Sequence, residues 1–282
     1  MSDFHQRTRP WQSGAGGGPL LRGRRLEAQK AGAATIHFIH GNGFCGGVYW
    51  AFLQKFLPEF SLFLHDLEGH GDSEAPRHFS GVDAIAARVP EVMREQGLLD
   101  GRPLIGMGHS FGAALTLKVA AANPGLFQSV VLLDPIVFEP ALWLGLRTMA
   151  ALHVHPMMRA ARGRRRRWPS RQAALDHLRG RGIYQGWPEE SLEDFVDHAT
   201  RDDRGERLLS CPPELEAQIY GHPIRTWPDF RGIAVPTAFI HGAESYPFLR
   251  PSARRARHLN FRVEVRSLPG RHCFMLEDPS AT

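Results

Sequence analysis

Ser110 stands in the pentapeptide Gly108-His109-Ser110-Phe111-Gly112, with a glycine two residues to either side. A serine hydroxyl is a weak nucleophile unless a base takes its proton and a pair of donors holds the oxyanion that its attack creates. The flanks of the pentapeptide say where such chemistry could sit. Residues 102–107 are short and apolar, as a buried strand is, and residues 113–122 form a helical pattern stopped by Asn123 and Pro124. A serine pinched between strand and helix must occupy a sharp turn that lifts its hydroxyl above the sheet end and aims the helix N-terminus at it. The pentapeptide alone arises by chance; the strand, pentapeptide and helix together are far more specific.

The base must come from elsewhere in the chain. Of 15 histidines, His272 follows an apolar run at 261–268 and sits in the loop 269–274. Strands of a parallel sheet all end on one edge, so a histidine just past the last strand can reach Ser110. His109, His241 and His70 fit structural roles better. The loop His40-Gly41-Asn42-Gly43-Phe44 follows a strand-like run at 35–39 and supplies amide donors on the same edge. Gly41, Asn42, Gly43 and Phe44 are therefore oxyanion candidates, with the N–H of Phe111 as their partner and the Asn42 side chain as a further donor. A tight turn without that role is the plain alternative.

These residues need a scaffold, and the rest of the chain describes one. Apolar runs at 35–40, 61–66, 104–107, 129–134, 236–241 and 261–268 alternate with amphipathic stretches near 48–57, 83–96 and 111–122. Strands apolar on both faces, alternating with helices, predict a mostly parallel, doubly wound α/β sheet. The alternation breaks at Pro135. From 135 to 231 only helical pieces rich in Trp, Arg and Leu are apparent, which predicts a helical cap inserted into a core of 34–134 and 232–282. Its apolar residues, Trp143, Leu144, Leu146, Met149, Met157, Met158, Trp187 and Trp227, are expected mostly in a core of the cap. Residues 1–33 read as a partly flexible N-terminal segment, with Gly-rich 14–18 and an edge strand beginning near Leu20. Only ten residues follow His272, so either the chain continues or the last strand is covered by something other than a C-terminal helix.

Composition narrows the class. With 282 residues, 43% hydrophobic and 22% charged, the chain has the make-up of a globular protein. It contains no apolar run of about 18 residues that could span a membrane. No apolar leader opens it, and Cys45, Cys211 and Cys273 have no metal-ligand spacing. Reduced thiols in a cytoplasmic protein without metal or organic cofactor are the expectation. The net charge of +5 is partly local: seven arginines fall within 159–171. A solvated cap face, a patch for an anionic substrate or lipid surface, and a nucleic-acid site compete for that run. The last is disfavoured because no nucleic-acid docking motif accompanies it.

The chain resembles the α/β-hydrolase superfamily, in its subset with helical caps. The resemblance rests on His40-Gly41-Asn42-Gly43, the loop from Asp66 to Ser73, the pentapeptide around Ser110, Leu132-Leu133-Asp134-Pro135, Ile240-His241-Gly242 and the loop from Gly270 to Phe274, in the family's order. It implies a Ser-His-acid triad with serine first and histidine last. Family members mostly carry the acid three residues after the glycine of the strand-end His-Gly pair. Here that position is Ser245, with Glu244 one place early. Pancreatic-type lipases and one group of haloalkane dehalogenases place it instead at the earlier strand, which points to Asp134, 24 residues after Ser110. Both stay open, Asp134 first. The His-Gly-Asn opening also resembles haloalkane dehalogenases, but those attack carbon with an Asp where this chain has Ser110.

The resemblance implies a serine hydrolase cleaving small-molecule carboxylic esters or thioesters, anionic or lipid-like ones included, through an acyl-enzyme. The alternatives are C–C or amide hydrolysis by the same triad, and a ligand-binding, receptor-like member with vestigial catalysis. Substrate identity and oligomeric state are not legible.

Overall fold

Thr35–Ile39 and Ser61–Asp66 are buried at every position, as strands covered on both faces must be. The structure, a computed structural model, describes residues 3–282. Its strands are β1 (Arg9–Ser13), β2 (Leu21–Leu26), β3 (Thr35–Ile39), β4 (Ser61–Asp66), β5 (Leu104–His109), β6 (Ser129–Leu133), β7 (Arg167–Trp168), β8 (Thr200–Asp203), β9 (Glu206–Leu209), β10 (Thr237–Gly242) and β11 (Val263–Leu268). Eight form one sheet in the order β1-β2-β4-β3-β5-β6-β10-β11. β1 and β2 run antiparallel, and the other six are mutually parallel.

The register places the site. Ile39 pairs with Gly108, His109 with Leu133, and Leu133 with Ile240. The residues that follow β3, β5, β6 and β10 therefore emerge side by side at one edge of the sheet. Period-two alternation sends neighbouring side chains to opposite faces. Phe63, Val130, Leu132 and Phe239 join one buried cluster with the helix Phe111–Ala122. Leu62, Leu64, Met107 and Leu133 join the other with Trp50 and Phe274.

Three expectations need correction. The strand expected near Leu20 is present at 21–26, but it is not the edge: residues 9–13 pair outside it in the main sheet. Trp11 stacks on Phe63 with centroids 4.6 Å apart and donates its Nε1–H to the Leu64 carbonyl at 3.1 Å. β2 can pass so close only because Gly23 has no side chain: a Cβ there would lie 2.1 Å from the Leu64 oxygen. The four arginines in these two strands mask their alternation in the sequence.

Second, the segment 135–231 is not all helix. β7, β9 and β8 form a small antiparallel sheet whose short, charged strands carry no hydrophobic run. Third, its apolar residues do not gather in a core of their own. Trp168, Trp187 and Phe195 pack with one face of the main sheet, Trp227 and Phe230 with the other. Among the described residues, only Met158, Ala161 and Ala217 form a small separate cluster. Leu144 and Met157 are exposed, at 61% and 40%.

Near β11, Leu249, Ala253 and Ala256 of the helix Leu249–Leu259, which precedes that strand, cover one face together with Val263. Cys273–Leu276 fill the other cluster. The covering helix lies before β11 in the chain rather than after it.

Candidate active site

Ser110 adopts φ 56° and ψ −117° between β5 and the helix Phe111–Ala122. Such a backbone costs an L-residue roughly 1–3 kcal/mol and persists only where its surroundings enforce it. The two flanking glycines make it possible. A Cβ at Gly108 would lie 2.5 Å from the Gly112 carbonyl oxygen, and one at Gly112 would lie 2.3 Å from the Ile39 and His40 oxygens. The Ser110 N–H donates to the Leu133 carbonyl at 2.9 Å, which ties the turn to β6.

His272, from the loop after β11, brings Nε2 to 2.9 Å from Ser110 Oγ. Its Nδ1 lies 2.6 Å from Asp134 Oδ2. A carboxylate can only accept, so Nδ1 carries the proton and Nε2 accepts from the serine hydroxyl. Asp134 is fully buried at the end of β6, with φ 45°, and its N–H donates to the Ile240 carbonyl at 2.7 Å. Its Oδ1 accepts the Gly242 N–H at 2.8 Å, and its Oδ2 also accepts the Ser245 hydroxyl at 2.5 Å. Of the two carboxylates left open by the sequence, the structure brings Asp134 to His272. Glu244 is exposed and ties to the loop only through its own N–H, donated to the Gly270 carbonyl at 2.9 Å.

The donor loop is narrower than its sequence suggests. The Gly41 N–H donates to Tyr49 Oη at 3.1 Å, the Gly43 N–H to His70 Nε2 at 3.0 Å and the Phe44 N–H to the Gly41 carbonyl at 3.1 Å. Those three amides are engaged. The amides of Asn42 and Phe111 have no partner among the described residues, and both residues line the cavity above Ser110. The Asn42 side chain spends one of its two Nδ2 protons on the Glu216 carbonyl at 3.0 Å, which anchors the loop.

Two networks that the sequence does not announce hold this constellation. His109 Nε2 lies 2.9 Å from the His272 carbonyl, which can only accept, so Nε2 carries the proton. His109 Nδ1 then accepts from Tyr49 Oη at 2.7 Å, and the same hydroxyl accepts from Gly41. One chain of hydrogen bonds thus joins the donor loop to the loop of His272. Burial, and after it the neighbouring His272, keep His109 well below the usual imidazole range, which suits a neutral ring with this fixed tautomer.

The second network uses the arginine run. Arg164 Nη1 meets both Glu216 oxygens, at 3.0 and 2.8 Å, and its Nη2 reaches Tyr184 Oη at 3.0 Å. The pair is largely buried, with side-chain exposures of 20% and 7%. Burial pushes Tyr184 up to about 12 even beside Arg164. Glu216 is also the residue whose carbonyl holds Asn42, so the pair braces the donor loop. Arg162 pairs with Glu214 at 2.8 Å, Arg171 with Asp197 at 2.6 Å, and Arg167 with Asp203 at 2.6 Å and with Glu206. Four of the run's arginines therefore answer acidic residues of the same segment.

Above Ser110 opens a cavity of about 270 Å³. Ile136, Phe138, Leu146, Ile219 and Phe248 supply much of its wall, and His272 and Tyr246 its rim near the serine. Such an apolar chamber with a few convergent polar groups suits a small organic ligand. Among the described residues, no group of three or more His, Cys, Asp or Glu side chains is placed to hold a metal ion. No helix among them is long and apolar enough to cross a membrane.

Comparison with known proteins gives lipase and thioesterase relatives and a shared fold. A lipase of Mycobacterium tuberculosis, LipV, is 37% identical over 107 residues, which cover 38% of this chain and 39% of that protein. A type I acyl-CoA thioesterase of Penicillium brevicompactum, mpaH', is 34% identical over 118 residues, 41% of this chain and 24% of that protein. The human monoglyceride lipase is 33% identical over 107 residues, 37% of this chain and 35% of that protein. The chain thus matches well under half the length of these curated relatives. Among solved structures, E-2-(acetamidomethylene)succinate hydrolase superposes with a TM-score of 0.79 at 20% identity, covering 97% of this chain and 96% of that one. The thioesterase domain from the curacin biosynthetic pathway gives 0.76 at 18% identity and covers 97% of each chain. These two show a shared fold. The family model described as the alpha/beta hydrolase family matches residues 38–282, and the chain belongs to that family.

Proposed function

We propose that this protein is a serine hydrolase that cleaves carboxylic esters or thioesters through an acyl-enzyme on Ser110. The observation that carries the reading is the unbroken hydrogen-bond line from Ser110 Oγ through His272 to buried Asp134. His272 takes the serine proton as Oγ attacks the substrate carbonyl carbon. Asp134 holds the imidazole in the tautomer that can do so and stabilises its positive charge. The tetrahedral oxyanion receives the N–H groups of Asn42 and Phe111, the latter at a helix N-terminus. The imidazolium returns its proton to the leaving alcohol or thiol, and the acyl group stays on Oγ. A water, deprotonated by the same His272, then attacks the acyl-enzyme and frees the acid.

The apolar cavity receives the acyl part, and residues 135–231 serve as a cap over it. The lipase and thioesterase relatives support both bond types. The contact of Asp134 with His272 favours catalysis over a receptor-like member with vestigial catalysis.

The test is pre-steady-state hydrolysis of p-nitrophenyl esters of graded acyl length. An acyl-enzyme gives a burst of nitrophenolate stoichiometric with protein, lost in S110A. Linear release with an unaffected S110A variant excludes the mechanism.

A further inference from the structure

On the far flank of the helix Pro140–Ala151 lies a second hollow, of about 840 Å³. Leu142 and Leu146 of that helix face the serine cavity, while Trp143 and Arg147 face the larger hollow. One helix thus separates an apolar chamber from a cationic one. His222 and Pro223 line both hollows.

The cationic chamber has a built feature. The guanidinium carbons of Arg147 and Arg225 lie 5.2 and 5.4 Å from the ring centroid of Trp143. The ring is pinned by its Nε1–H, donated to the Pro223 carbonyl at 2.8 Å. Neither arginine has a carboxylate within ion-pairing distance among the described residues. Lys118, on the same wall, is paired with Asp83 at 2.8 Å and adds no net charge. Two guanidinium groups gathered on one indole leave an uncompensated double positive charge beside a large cavity. Arginine presents a planar fork of donors that matches phosphate, and stacking on an aromatic ring fixes that fork in place. The arginine run at 159–171 offers no such site, since its inward member, Arg164, is consumed by Glu216.

We propose that Arg147 and Arg225, set on Trp143, bind the phosphate of a phosphorylated leaving group, a thiol or an alcohol, whose acyl chain lies in the Ser110 cavity. The inference rests on the serine-hydrolase reading for the acyl half of the ligand, and only for that half. A leaving group of this kind extends past His222 and Pro223 to the larger hollow; a short neutral alcohol leaves that hollow empty.

The test is calorimetric binding, which needs no turnover. 4′-Phosphopantetheine, pantetheine and glycerol 3-phosphate are titrated into the intact protein, its S110A variant, R147Q and R225Q. Both arginines are exposed, so the variants keep the fold. The expected result is that phosphopantetheine or glycerol 3-phosphate binds, phosphopantetheine at least about tenfold more tightly than pantetheine if the thiol is the source. Each arginine variant should lose that binding, and S110A should keep it. The tighter of the two phosphorylated probes distinguishes a thiol from a glyceride source. Equal binding of phosphorylated and unphosphorylated thiol without glycerol 3-phosphate binding, no binding of either phosphorylated probe, or binding that survives in both R147Q and R225Q would overturn the proposal. Phosphate binding in a protein that shows no acyl-enzyme would instead overturn the hydrolase reading and leave the anion site standing.

Discussion

The hydroxyl of Ser245 donates to Asp134 Oδ2, the same carboxylate oxygen that meets the imidazole of His272. The residue at the end of β10 where an acid was expected thus hydrogen-bonds to an acid supplied by β6. Both strand ends lie beside each other because Leu133 and Ile240 are in register, so either could carry the carboxylate. In this chain the later position supports the earlier one.

From this follows a contrast between two carboxylates. Asp134→Asn should lower turnover of a nitrophenyl ester by roughly 10³–10⁴-fold, because an amide no longer fixes the tautomer of His272. Glu244→Gln should leave turnover unchanged, since that side chain is exposed and its backbone keeps its bond to Gly270. Steady-state kinetics on the two variants decide it, and the reverse order would show the wrong acid.

Tyr49→Phe tests the hydrogen-bond chain behind the triad. Removing the hydroxyl leaves the Gly41 N–H and His109 Nδ1 without partners in a fully buried site. Stability should fall by about 1–3 kcal/mol, and kcat should fall more than KM rises. A variant as stable and as active as the parent would mean that the chain positions nothing.

Arg164→Met should be costly and Arg165→Gln should not. Arg164 leaves behind an unpaired, buried Glu216, and breaking a buried pair from one side costs about 3–5 kcal/mol. Arg165 is exposed and bonds only to the Arg167 carbonyl, so its loss should stay within about 0.5 kcal/mol. Urea midpoints of the two variants check the contrast; equal midpoints would make the whole run a solvated face.

Buried histidines set the acid limb of stability. Burial holds His37 at about 3, His70 at about 4 and His198 at about 4, against an ordinary 6.5. His40, His65 and His109 are held well below it for the same reason. Between those values and 6.5 the unfolded chain binds protons that the folded chain does not, so stability rises with pH across this window and is lost on acidification. Asp66 opposes this: burial raises it from 3.8 to about 7, so it favours the folded state at low pH and loses that contribution as pH climbs. Asp229, raised by burial from 3.8 to about 6, acts in the same sense as Asp66, and six histidines outweigh these two carboxyls, each proton contributing about 1.4 kcal/mol per pH unit. The urea midpoint should rise from pH 5 to pH 7, and more steeply in Asp66→Asn. A midpoint that falls over this interval contradicts the assignment.

The sequence made the parallel strands legible because burial on both faces leaves continuous apolar runs, as in residues 35–40. It made Ser110 legible because the strained turn demands glycine at 108 and 112. The strand near Leu20 was legible, but β1 was hidden because Arg9-Pro10-Trp11-Gln12-Ser13 carries no apolar run, and β7–β9 were hidden by their length and charge. The partner of His272 was ambiguous because two adjacent strand ends lie within reach of one imidazole, and only the contact of its Nδ1 with Asp134 Oδ2 tells them apart. Gly41, Gly43 and Phe44 could not be separated from Asn42 by type, since their amides are spent on Tyr49, His70 and Gly41 through contacts distant in sequence. His109 reads as structural from its place in the pentapeptide, but the bracing roles of Tyr49 and Glu216 left no signal, for a buried hydroxyl or carboxylate reads like any other until its partners are known.

Reaction with a fluorophosphonate followed by peptide mass spectrometry tests the central claim most directly. The reagent phosphonylates only a serine that a neighbouring base activates. The expected adduct is single and stoichiometric, on the peptide carrying Ser110, and is lost in S110A and strongly slowed in His272→Ala. A folded protein that remains unlabelled, or that is labelled at another residue while Ser110 stays free, contradicts the account.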